Sequence, residues 1–219
     1  MPRGEFDRSA RKAATRARLL EAAARVYAAR GFAGATLDDV AEEAGLTKGA
    51  VYGHFGSKGN LLAALMDEYL AREIAEQIAL FDRGETTWKR PWSGADSWMS
   101  EVDEAPEAFR LLVEFWLAAG RDEAMRERFA LGFEGLRQTF AGFSSKSAAD
   151  AGIAMPEGAA AHVANVFLGL AVGLGFLRAV DREGVSRELL GTALSVFIRA
   201  MERDPELRAA IADPEARKG

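Results

Sequence analysis

The chain has 219 residues, 49% hydrophobic and 28% charged, with no Cys and a net charge of −5. That size and composition suit one large or two small globular domains, and the absence of Cys excludes disulfides and thiolate metal sites. The charge is unevenly placed. Residues 1–62 carry ten Lys and Arg against seven Asp and Glu, a net of +3, while residues 63–219 carry eighteen against twenty-six, a net of −8. A basic start on an acidic body points to a polyanionic partner at one end or to a solvated basic helix.

The opening "MPRGEFDRSARKAATR" lacks the apolar core of a secretory signal. Residues 9–30 follow with helical period, Leu19, Ala23, Val26 and Tyr27 sharing one face and Arg11, Arg18 and Arg25 another. Gly31 is expected to stop this helix, with Phe32 tucked under its end. Thr36 then suits the cap of "LDDVAEEA", where Asp38 and Asp39 complement the helix dipole. Gly45 ends this short helix. Thr47 caps the next, which runs to about Phe55, and Ser57 caps a long helix to about Leu80.

Residues 82–106 are the least regular, with three of the four Trp and a short helix near Ala95 to Val102. Helices near 107–120, 122–143, 157–182 and 186–203 complete the pattern. "SSKSAADAGIAMPEG" is expected as a linker, and Asp204 to Gly219 as a frayed tail with one further turn. Strand signals are absent. The fold class expected is all-α: an N-terminal three-helix module joined by a long helix to a C-terminal helical domain. The most apolar run, Val163 to Leu177, spans 15 residues and is short of the ~20 that cross a bilayer. A buried helix is expected there, in a soluble, cytoplasmic protein with no membrane partner.

Residues 36–56 form two short helices around a glycine turn, the pattern of a helix-turn-helix whose second helix enters the DNA major groove. In that second helix Val51 and Phe55, four apart, form the inner face. Lys48 with Tyr52, and Gly49 with Gly53, form the outer one. A thin outer face suits close approach to a groove about 12 Å wide. Lys48 reaches a base or a phosphate, Tyr52 and His54 donate to phosphates, and Lys58 adds charge at the next helix start. Each residue also has a plain structural reading, as a half-buried aromatic, a helix end or a solvated cation.

The stretch "ATLDDVAEEAGLTKGAVYGHFGSKGNLLAAL" (Ala35 to Leu65) resembles the N-terminal module of the TetR family of transcriptional regulators. The match covers roughly residues 14–74 in detail and the rest as architecture. The resemblance implies that Thr36 and Lys58 contact phosphates, that Thr47, Lys48 and Gly49 face bases, and that Tyr52 and His54 grip the backbone. Gly53 departs from the family pattern, which has a larger side chain there. The implied domains are a DNA-binding domain, 14–74, and an effector-binding and dimerisation domain, 75–219.

In that second domain an apolar cavity near Trp98, Phe109, Trp116 and Phe133 is expected to hold a small, largely apolar effector. Gly169 and Gly173 permit close helix approach, and Leu190, Leu194, Phe197 and Met201 form a stripe. These residues are expected to build a four-helix homodimer interface. An enzyme is disfavoured: only His54 and His162 are present, with no Ser elbow, phosphate loop or metal-spaced set. No cofactor or metal is expected. The function expected is a repressor that binds a double-stranded DNA operator and is released by its effector. The alternative is a helical small-molecule carrier with a non-functional DNA module.

Overall fold

The computed structural model describes residues 3–85, 87, 90 and 92–214, residues 3–7 and 92 by their backbone alone. Among the described residues the chain is all-α, its only ladder pairing an isolated bridge between Thr87 and Arg90. The helices are α1 (Arg3–Gly34), α2 (Leu37–Glu43), α3 (Lys48–Phe55), α4 (Lys58–Asp82), α5 (Trp92–Glu104), α6 (Pro106–Ala119), α7 (Glu123–Asp150), α8 (Ala159–Val180), α9 (Leu189–Arg203) and α10 (Pro205–Ala212). Trp88 lies outside the described residues.

The chain divides into two compact units, residues 1–69 with 107–131 and residues 70–106 with 132–219. This differs from the expected boundary at 74/75. Helix α4 continues unbroken through residue 74, and α6 with the start of α7 belongs to the N-terminal unit.

In the first unit Leu19, Tyr27, Val40, Val51, Phe55, Leu61 and Met66 are buried. Each large apolar side chain so buried contributes about 1.5–3 kcal/mol. Gly31 breaks α1 with φ 70° and ψ 159°, a conformation that only glycine adopts without strain, yet a helical turn resumes after it. Phe32 does fold under the end, its ring edge-on to Tyr27 at 5.6 Å.

The kink is held from two sides. The Lys58 ammonium donates to the carbonyls of Phe32 (2.7 Å), Ala35 (2.9 Å) and Ala33 (3.3 Å) and sits 4.5 Å from the Phe32 ring centroid. The Phe32 N–H donates to Glu114 Oε2 on α6 at 2.9 Å.

In the second unit α5 packs on α8 and α9 through Ala95, Met99, Leu190 and Leu194. The Trp98 indole N–H donates to the Ala171 carbonyl at 2.7 Å. Arg178 forks onto Asp103 at 2.6 and 2.9 Å, and that contact holds the Asp103 carboxyl below the usual range.

Two elements run longer than expected. Helix α7 continues through the Ser-rich stretch to Asp150 because Ser144, Ser147 and Ala148 are buried. The tail forms α10, which packs on α8 and α9. Asp204 caps it by accepting the Glu206 and Leu207 N–H groups, and Pro205 opens it.

Helix α8 has 22 residues and is, by length and composition, apolar enough to cross a membrane. It is longer than the 15-residue run and is not the expected buried helix: only 17% of its most apolar window is covered by its own chain.

A feature without a sequence signal lies between α4 and α5. Glu73 is 7% exposed, and its Oε1 makes no hydrogen bond, only a 3.5 Å ion pair with Arg72, which also reaches Glu101 at 3.2 Å. Burial, reinforced by the Glu101 charge, pushes Glu73 up to about 7.

Two outcomes follow. Lys58→Met keeps the apolar stem and removes the donors. It is expected to destabilise the fold by about 2 kcal/mol, lowering Tm by roughly 4–8 °C in a thermal melt. Glu73 titrates near 7 in the folded chain, against 4.5 for an unperturbed Glu. The folded form therefore binds the proton more tightly. That contribution is complete below the unfolded value and is lost as pH rises through 7. Glu73→Gln is expected to exceed the parent in stability by about 2 kcal/mol at pH 8 and to lose this lead near pH 5, measured by denaturant unfolding.

Candidate nucleic-acid interface

Helix α1 runs antiparallel to α2 and is tied along its length. Arg30 meets Asp39 at 2.5 Å, Arg25 meets Glu43 at 2.7 Å, and Arg18 donates to the Ala44 carbonyl at 2.8 Å. Helix α2 begins with a reciprocal capping box. The Asp39 N–H donates to the Thr36 hydroxyl, and the Thr36 N–H donates to Asp39 Oδ2 at 2.8 Å. Gly45, at φ 61°, makes the turn, and Gly56, at φ 72°, ends α3.

Helix α3 is seated by Val51 and Phe55, both buried, as its spacing predicts. Thr47 is exposed and caps it, accepting the Ala50 N–H at 3.3 Å. Lys48 and Gly49 are exposed beside it, and Tyr52 is 52% exposed. His54 is half-buried and tilted against Phe55 at 6.0 Å.

The glycines of α3 differ from those that flank it. Gly49 and Gly53 keep helical backbone angles. A Cβ at Gly53 would meet nothing within 4 Å, and one at Gly49 only Thr47 Oγ1 at an ordinary 3.9 Å. Neither the backbone nor the surrounding chain requires glycine there, although each costs about 1 kcal/mol of helix stability relative to alanine.

Two expected phosphate contacts have other partners. The Lys58 ammonium has three N–H donors, and all three face the carbonyls at the end of α1. These bonds give it a structural role in the chain alone. The Thr36 hydroxyl likewise donates to Asp39 Oδ2 at 2.7 Å, within the capping box. Lys48 Nζ donates to Asp38 Oδ2 at 2.5 Å, which pushes the ammonium pKa up. That pair is exposed on both sides and is therefore weak. Asp38 as a partner of Lys48 was not foreseen; its position ten residues upstream, at the start of the neighbouring helix, is the signal.

The residues expected further along the chain are distributed differently. Leu190 (1% exposed), Leu194 and Met201 (0%) are buried within their own unit rather than on its surface. Phe197 stands edge-on to Phe167 at 5.9 Å. The outward faces are instead Gly169, Gly173, Phe176, Leu177 and Val180 on α8, with Leu189 and Val196 on α9. Gly169 and Gly173 have open space beside them. Of the expected effector-contacting residues, Trp98 and Phe133 belong to the second unit and Phe109 and Trp116 to the first. Phe109 is buried, and Trp116 is half exposed with its ring edge-on to Phe129.

Residues 19–65 match the family described as "Bacterial regulatory proteins, tetR family". Over 53 residues the chain is 53% identical to the HTH-type transcriptional regulator TtgR of Pseudomonas putida, a stretch that covers 24% of this chain and 25% of that protein. The matched stretch thus spans about a quarter of the length of this curated relative.

Two solved structures share the fold over nearly their whole length. One, a TetR transcription regulator from Haloarcula marismortui, is 24% identical with a TM-score of 0.63 and covers 92% of this chain and 98% of that one. The other, from Saccharomonospora viridis and solved in complex with choline, is 20% identical with a TM-score of 0.67 and covers 85% and 96%. The capped α2, the glycine turn and the seated α3 all fall within residues 19–65, the stretch that is similar to the bacterial regulatory proteins of the tetR family.

Proposed function

We propose that the protein is a homodimeric transcriptional regulator that binds operator DNA in a sequence-specific manner, a repressor that a small, largely apolar effector releases. The bare outer face of α3 carries this reading. Gly49 and Gly53 lower helix stability and fill no need of the fold. Their benefit lies outside the chain, where a helix without side chains on that face admits a base edge or a phosphate closely. Thr47, Lys48, Tyr52 and His54 surround that face with donors, and Lys48 exchanges Asp38 for DNA.

Dimerisation is proposed through the outward faces of α8 and α9. They expose Phe176, Leu177, Val180 and Val196, side chains that a lone subunit would leave to water. Two half-sites, about 34–36 Å apart, then supply the sequence information that one short helix lacks. The effector reading rests on the neighbour solved with choline, with Trp98 and Phe133, both in the second unit, as the aromatic candidates there. Helices α4 and α7 each continue from one unit into the other. The carrier alternative predicts ligand binding with no preference among DNA sequences.

Gly53→Ala separates fold from function. It is expected to raise Tm by about 2–4 °C, since alanine is the better helix former. The same change is expected to weaken binding to a site selected from random duplexes by about tenfold in fluorescence anisotropy. Equal or tighter binding would remove the groove argument. Val180→Glu, at a position 78% exposed, is expected to leave the far-UV spectrum intact and to convert the dimer to monomer in sedimentation equilibrium, because a charge there opposes apolar pairing.

A further inference from the structure

The part of α4 that belongs to the second unit carries an acid that the fold itself does not use. Glu73 and Gln77, four apart and so on one face, are 7% and 8% exposed. Glu73 stands in the middle of α4, away from either helix end, so it caps nothing. Its Oε1 makes no hydrogen bond. A carboxylate buried without donors opposes folding, and its presence calls for a cause outside the packing of the chain.

The surroundings add charge of the same sign. Glu101 on α5 and Glu76 on α4 both act on Glu73, and the Ser97 hydroxyl donates to Glu76 at 3.1 Å. Arg72 is the cation of this cluster, 3.5 Å from Glu73 and 3.2 Å from Glu101. Its side chain is 59% exposed, so it meets the acids from the solvent side and is divided between them. Glu73, Glu76 and Glu101 thus share a single guanidinium among the described residues, and the seam between α4 and α5 is short of positive charge. Burial first, and then the Glu101 charge, pushes Glu73 up to about 7, the response of an acid without a full counter-ion.

What would complete the cluster follows from its chemistry. Among the described residues no grouping of acidic or His side chains could hold a metal ion, so the missing charge suits an organic cation. An oxygen without a donor calls for a cation that carries N–H groups. Trp98 precedes Glu101 by three residues, which puts a ring and a carboxylate on one side of α5. An aromatic ring beside a carboxylate suits a cationic head on an apolar body.

We propose that the second unit recognises a protonated amine, whose N–H groups donate to Glu73 and Glu101 while its apolar body lies against the Trp98 side of α5. This rests on the effector reading above and narrows it to one class, amines with an apolar body.

The test is calorimetric titration of the full chain at pH 7 with two probes matched in size, phenethylamine and phenethyl alcohol. The amine should bind about tenfold more tightly than the alcohol. It should also release about half a proton per chain, read from heats in buffers of different ionisation enthalpy, because Glu73 is half protonated near 7 and the bound cation ionises it. Glu73→Gln keeps the side-chain size and is expected above to fold more stably at pH 8. It should lower the amine's affinity to that of the alcohol and abolish the proton release. Glu101→Gln should weaken the amine by about threefold and leave the alcohol unchanged. An alcohol bound as tightly as the amine overturns the ammonium class and leaves an apolar effector standing. A preference for the amine that survives both E73Q and E101Q overturns this location. A parent that binds neither probe at millimolar concentration overturns the site together with the effector reading beneath it.

Discussion

Three carbonyls at the end of α1 converge on one ammonium, that of Lys58, with the Phe32 ring beneath it. The carbonyls that end a helix have no partner within it. A cation there satisfies them and suits the negative end of the helix dipole. Because Lys58 opens α4, this contact joins the end of α1 to the start of α4. Helices α2 and α3 lie between those two ends in the sequence. Their position follows from that closure and from the Arg30, Arg25 and Arg18 ties along α2.

The same kink receives α6 through Glu114, which accepts the Phe32 N–H. The module that presents α3 is therefore larger than the stretch matched by sequence. It includes α6 and the start of α7, residues that a division by sequence order assigns elsewhere. Lys58 takes the carbonyls and Glu114 an N–H of the same turn, so opposite charges clamp the kink that follows Gly31.

What was legible in the sequence was local. Thr36, Thr47 and Ser57 announce the starts of α2, α3 and α4, and Gly45 and Gly56 bound the middle one, because caps and turns are decided within a few residues. The buried pair Val51 and Phe55 followed from spacing alone. What was not legible depends on distant partners. Lys58 lies 23 to 26 residues from its carbonyls, and Glu114 lies 82 from Phe32. The Ser-rich end of α7 is helical because the second unit buries Ser144 and Ala148, which composition does not reveal. Helix α9 is apolar on two faces, so its pattern could not tell that Leu190 and Leu194 point inward while Leu189 and Val196 point out.

The Asp38–Lys48 pair bears on the DNA binding proposed for α3. A lysine side chain at large loses up to about 2 kcal/mol of rotamer freedom when it is fixed. Lys48 is already extended onto a carboxylate, an acceptor with the charge sign of a phosphate. Much of the ordering cost is thus incurred in the unbound protein, where a weak, water-exposed pair offsets it. For the DNA-binding function proposed above, Asp38 would thus be an internal surrogate ligand that presets the lysine.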